Sequence, residues 1–156
     1  MDHLKLPSIH LWQYAENRRN YPGVHLTADE RGCAQLQRAI ATSIDESASR
    51  PYVTVQLSPP TPAALSVPNN RSSAALPFQK LRLQMVIDAE PEELEISISE
   101  SVCSLRYSTD MATRLSTSVQ EVAKGRGDFS IGGKDPNVIW FWWHPAESEQ
   151  TRERGE

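Results

Sequence analysis

Ile139-Trp140-Phe141-Trp142-Trp143 places three of the chain's four tryptophans within five consecutive residues. In an extended conformation, Ile139, Phe141 and Trp143 face one way and Trp140 and Trp142 the other. Each large ring buries roughly 150–250 Å² when packed, so the strand is either covered on both faces or keeps one face for a partner. The uncharged run from Val138 to Trp143 has the makeup of an aggregation-prone segment. Lys134, Asp135 and Pro136 before it, and His144-Pro145 after it, act as gatekeepers. Two readings follow. In one, this is a central strand with Trp140 and Trp142 partly covered on the second face. In the other, a tryptophan face, joined by Trp12, forms an exposed patch for a protein or small ligand, in keeping with the enrichment of tryptophan at binding hot spots.

Upstream, Asp128 to Ile131 predicts a neighbouring strand, reached through Gly132-Gly133-Lys134-Asp135-Pro136-Asn137. Before it, Met111, Leu115, Val119 and Val122 share one face of a helix expected over Asp110 to Lys124, capped by Thr109 and closed at Gly125. Leu94 to Ile98 and Val102 to Tyr107 alternate cleanly, as a hairpin or one long bulged strand. In Phe78 to Ile87, Leu81, Leu83 and Met85 alternate with Lys80, Arg82 and Gln84. Such alternation points to antiparallel strands with one wet face.

Tyr52 to Leu57 has the content of a strand, and Ile9 to Tyr14 that of a first short one. Between them, Thr27-Ala28-Asp29-Glu30 matches a capping box, and Cys33, Leu36 and Ile40 continue as an apolar stripe to about Ser43. Asn17 to Gly23 reads as a turn. Residues 58–77 hold five prolines and form a surface excursion, with a single turn around Thr61 to Ser66. Residues 146–156 read as a disordered polar tail, leaving one domain over 1–145.

The net charge of −4 and pI near 5.6 set this chain apart from dedicated nucleic-acid binders, which cluster Lys and Arg. Anionic membranes are disfavoured for the same reason. No run approaches the roughly 18 apolar residues of a membrane span, and no secretory signal is visible at the start, so the expected location is the cytoplasm. Cys33 and Cys103 lack metal-ligand spacing and read as reduced, buried thiols. No cofactor or metal is expected. The acidic stretch from Asp88 to Glu95 reads as a solvated turn, because calcium-loop spacing is missing. His3, His10, His25 and His144 are dispersed, and no nucleophile or phosphate-loop motif is present. The glycines from Gly125 to Gly133 follow a helix end, where the dipole is wrong for phosphate, so they read as a C-cap and a hairpin.

At Gly127-Asp128-Phe129-Ser130-Ile131-Gly132, followed by the aromatic run, the chain resembles small uncharacterised bacterial proteins that end a helix with a G-D-aromatic-x-I-G turn and close on an aromatic strand. Val24 to Asp29 and Leu57 to Pro62 are in keeping with that group. The resemblance implies no activity. Immunity proteins and other small accessory partners share the size and acidity.

The expected fold is α+β: an antiparallel sheet of about five to seven strands with two amphipathic helices packed on one face. The expected function is non-catalytic, a protein-binding or accessory domain of immunity type, with Trp12, Trp140 and Trp142 as contacts. A protein partner, or a second copy joined through the aromatic strand, is the expected ligand. The alternative is a small enzyme or ligand binder with a pocket near the Gly125–Gly133 turn, using Arg126 and Asp128 as polar contacts.

Overall fold

Among the described residues, nine strands and three helices form, in the order β1 (Ile9–Tyr14), β2 (Val24–Ala28), α1 (Glu30–Asp45), β3 (Val53–Gln56), α2 (Pro62–Ser66), β4 (Ala75–Pro77), β5 (Lys80–Met85), β6 (Leu94–Ser99), β7 (Val102–Tyr107), α3 (Thr109–Ala123), β8 (Asp128–Gly132) and β9 (Val138–Trp142). The computed structural model describes residues 7–15, 22–47, 49, 51–68, 74–134 and 136–145. The polar tail and most of the turn expected at 17–23 lie outside the described residues, as do residues 69–73 of the proline-rich stretch.

The class is α+β, but the single antiparallel sheet is corrected. One sheet has five strands in the order β4-β1-β2-β9-β8, the other four in the order β3-β5-β7-β6. Each is mixed: β2 runs parallel to β9, and β5 parallel to β7. Alternation reports which face is wet and is silent on strand direction, so the parallel pairs left no mark in the pattern. What does betray β2 and β9 is burial. Every residue of β2 is buried, and so are all but Trp140 in β9, as suits parallel strands covered on both faces.

The two sheets meet where β4 runs through Phe78 and Gln79 into β5. The Phe78 amide donates to the Leu11 carbonyl at 2.9 Å, and the Leu57 amide to Gln79 at 3.0 Å. Helices α1 and α3 pack on each other beneath the inward faces of both sheets, α1 against β2, β3 and β5, α3 against β2 and β9. One core results, joining Leu11, Leu26, Leu36, Leu81, Leu105, Leu115, Ile139 and Phe141 among others.

Both caps differ by a residue or two from expectation. Thr27 stays in β2, since that strand continues to Ala28 opposite Ile9, and Asp29 caps α1 instead. Its carboxylate accepts from the Gly32 amide at 2.7 Å and the Ser8 amide at 3.1 Å, while its own amide donates to the Ser8 carbonyl at 3.0 Å. Helix and first strand are thus clamped at one residue. For α3 the cap is Ser108, whose hydroxyl accepts from the Met111 amide at 3.0 Å and donates to the Pro91 carbonyl at 2.6 Å.

Cys33 and Cys103 are free and buried. Burial pushes both thiols up to about 12, with Asp29 and Glu30 adding to the effect at Cys33. Burial likewise pushes the Tyr107 hydroxyl up to about 12, against the lowering effect of its bond with Ser43 at 2.6 Å. These groups hold their protons more firmly folded than unfolded. Their stabilisation is therefore complete below pH 9 and is lost as pH rises towards about 12.

Two outcomes are expected. Asp29→Ala should lower unfolding free energy by about 1–3 kcal/mol in urea titration, because the Gly32 and Ser8 amides lose a shared acceptor. Native protein should resist thiol alkylation at neutral pH and lose stability steadily above pH 9; rapid alkylation of the folded chain would contradict the burial of both cysteines.

Candidate functional site

Alternation along β1, β2 and β9 sends His10, Trp12 and Tyr14, His25 and Thr27, and Trp140 and Trp142 to the face of the five-stranded sheet away from the helices. Register then brings them together: Trp12 lies opposite His25, and His25 opposite Trp140. The rings form a ladder. His25 stacks at 5.9 Å from Trp12 and 6.2 Å from both Trp140 and Trp142, and Tyr14 meets it edge-on at 4.8 Å. His10 and His144 stack at 5.8 Å beside this group. Leu65, Val67 and Ala75, contributed by the proline-rich stretch, cover part of the layer.

The layer is polar in detail. The Trp142 indole N–H donates to His25 Nδ1 at 3.1 Å. An indole nitrogen can only donate, so Nδ1 lacks a proton and the imidazole is neutral with its proton on Nε2. A carbonyl can only accept, so His10 carries a proton on Nδ1 and donates it to the Ser58 carbonyl at 3.0 Å. Two buried atoms, Trp12 Nε1 and Thr27 Oγ1, find no hydrogen-bond partner among the described residues.

Of the five residues singled out in the sequence, Trp12, Trp140, Trp142 and Asp128 share this face, Asp128 lying opposite Trp142 in the β8–β9 pair. Trp12 and Trp142 are buried, Trp140 is half-buried and Asp128 is exposed. Trp143, beyond the strand end, is 41% exposed. The tryptophans thus form a covered second layer rather than an open patch. β9 is bonded along both edges, to β2 and β8.

Arg126 stands apart, exposed and paired with Glu121 at 3.0 Å. The glycines around it serve the backbone. Gly125 has φ +84°, and the Gly125 and Arg126 amides donate to Val122 and Glu121 carbonyls at 2.9 Å, closing α3 in a Schellman turn. A Cβ on Gly127 would sit 2.7 Å from the Trp143 amide nitrogen. A space of about 20 Å³ in the core is lined only by apolar side chains, Leu26, Leu81 and Phe141 among them. No group of three or more His, Cys, Asp or Glu among the described residues is placed to hold a metal ion. No helix among them is long and apolar enough to cross a membrane.

The four-stranded sheet offers a second surface. Its inward residues Val55, Leu81, Leu83, Leu105 and Ile96 are buried in the core. No described element covers the other face, where register aligns Thr54, Arg82, Ser104 and Ser97 in one row. Gln56, Lys80, Val102 and Ser99 form the next row. The sequence already alternates Lys80, Arg82 and Gln84 with apolar partners; the neighbours that complete the surface depend on cross-strand register.

Comparison with family models, curated proteins and solved structures finds no match for this chain.

The aromatic layer predicts opposite effects for two neighbours. Trp142→Phe should cost about 2–4 kcal/mol, from lost packing and the lost donor to His25. Thr27→Val should be neutral or stabilising by about 1 kcal/mol, because it removes a buried hydroxyl without a partner. Both are read from denaturant midpoints; a clear loss of stability for Thr27→Val would mean that its hydroxyl is engaged.

Proposed function

We propose that this chain is a non-catalytic, protein-binding accessory domain, and that it docks its partner on the uncovered face of the four-stranded sheet. The observation that carries the reading is the contrast between the two sheets. The five-stranded sheet is packed on its inward face by the helices and screened on part of its outer face by Leu65, Val67 and Ala75. Among the described residues, the four-stranded sheet is packed on one side only.

Its open side carries a row of short hydroxyl side chains. Thr54, Ser97, Ser99 and Ser104 lie between longer polar residues, and Tyr52 borders them with 41% of its surface exposed. Rigid strands present these groups without the ordering cost of a mobile loop. An immunity-type role, in which the chain occupies another protein stoichiometrically, is one form of this reading.

Bulky substitution supplies the test. Thr54→Trp with Ser97→Trp should leave folding intact and abolish a stoichiometric complex that the wild-type chain forms in cells, followed by cross-linking mass spectrometry and gel filtration. Equal recovery of the complex by the double variant, or cross-links confined to other surfaces, would remove the sheet face from the proposal.

A further inference from the structure

We infer that the partner segment seated on this face is an acidic stretch of polypeptide, with Arg82 as its anchor; the inference rests on the sheet face being the docking surface. Three cations, Lys80, Arg82 and Arg106, project from the face against one carboxylate, Glu95. That local sign is opposite to the net charge of −4 carried by the whole chain. Glu95 is already engaged, accepting from Arg106 at 3.0 Å in register across β6 and β7. Lys80 and Arg82 have no ion pair among the described residues.

Arg82 is also held in place. It occupies a strand bonded on both sides, between Thr54 and Ser104, and its guanidinium carbon lies 4.5 Å from the centre of the Tyr52 ring. Stacking on an aromatic face orients the planar guanidinium before a ligand arrives and leaves its donor fork available to a carboxylate. Its Nε is buried without a hydrogen-bond partner among the described residues, an arrangement that costs free energy in the unbound chain. Lys80, two residues away on the same face, lies about 7 Å along the strand, the spacing of alternate side chains in an extended partner.

Register sets the hydroxyls of Thr54 and Ser104 on either side of Arg82, and the described strands present side chains there rather than a loop of amides that would cradle an isolated phosphate. A long polyanion such as nucleic acid would meet the repulsion of the acidic remainder of the chain. A short acidic segment of protein matches both the local charge and the row of hydroxyls.

The test uses the full chain labelled with ¹⁵N and titrated with a synthetic glutamate–serine peptide, its lysine–serine counterpart and inorganic phosphate. The expected result is shift changes on residues 80–84 and 102–106 with the glutamate peptide alone, weakened by added salt. Arg82→Gln should weaken that binding about tenfold, and Arg82→Lys should restore part of it. Lys80→Gln, in the same fold-checked spectra, should give a smaller loss. Shifts elsewhere or none, equal binding of the lysine peptide, phosphate reproducing the same shifts at equal strength, or an unchanged Arg82→Gln variant would each overturn the inference. If Thr54→Trp with Ser97→Trp blocks the cellular partner while Arg82→Gln does not, the docking face stands and the acidic partner falls.

Discussion

The parallel pairing of β2 with β9 in the middle of the five-stranded sheet is the constraint on which the architecture turns. A parallel pair cannot close through a tight hairpin, so the chain between Ala28 and Val138 must leave the sheet and return. That excursion carries α1, the whole four-stranded sheet and α3, and it places the helix pair between the two sheets' inward faces. The join itself is tight. Gly23 enters β2 at φ +79°, and any Cβ there would collide with the Val138 carbonyl oxygen at the start of β9. A central strand must also satisfy two faces. Leu26, Ile139 and Phe141 do so inwardly in the main core, while His25, Trp140 and Trp142 do so outwardly in the aromatic layer.

A buried histidine at the centre of that layer is tolerable because its neighbours supply what water would have supplied. The Trp142 indole donates to one ring nitrogen, and flat rings flank the imidazole faces. The arrangement suits a neutral ring and gives His25 a structural part in holding β1, β2 and β9 in register. It also explains why Trp140 and Trp142 late in the sequence need Trp12 and Tyr14 early in it: the layer is a single packing unit assembled from distant segments.

What the residues disclosed in advance follows from local physics. Period-two alternation located β5, β6 and β7, residue content located β1, apolar stripes located α1 and α3, and the glycine after Lys124 marked a helix end that closes as a Schellman turn. Local rules failed where a residue had two claims on it. Thr27 is a good helix cap by composition, but its backbone is needed opposite His10 in β2, so the cap passes to Asp29. The site was less legible still. His25 and Trp142 are 117 residues apart, and nothing in either neighbourhood encodes their adjacency. Lys80 and Arg82 were visible as the polar side of a strand, whereas Ser104, Ser97 and Tyr52 joined them only through register and a ring contact.

The same packing decides which surface is available for recognition. Opening the aromatic layer to a partner would return rings of roughly 150–250 Å² to water, at about 25 cal/mol per Å², or roughly 4–6 kcal/mol for each ring exposed. Two such rings would consume most of the stability of an ordinary domain. The open face of the four-stranded sheet carries no such cost, since Thr54, Gln56, Lys80, Ser97 and Ser99 are already exposed and its strands are fixed from below by the core. Tryptophan is the more usual anchor at interfaces, but in this molecule the tryptophans Trp12 and Trp142 are committed to holding the sheet together. An arginine stacked on a tyrosine, on a sheet face that no described element covers, is the anchor that the proposed docking would use instead.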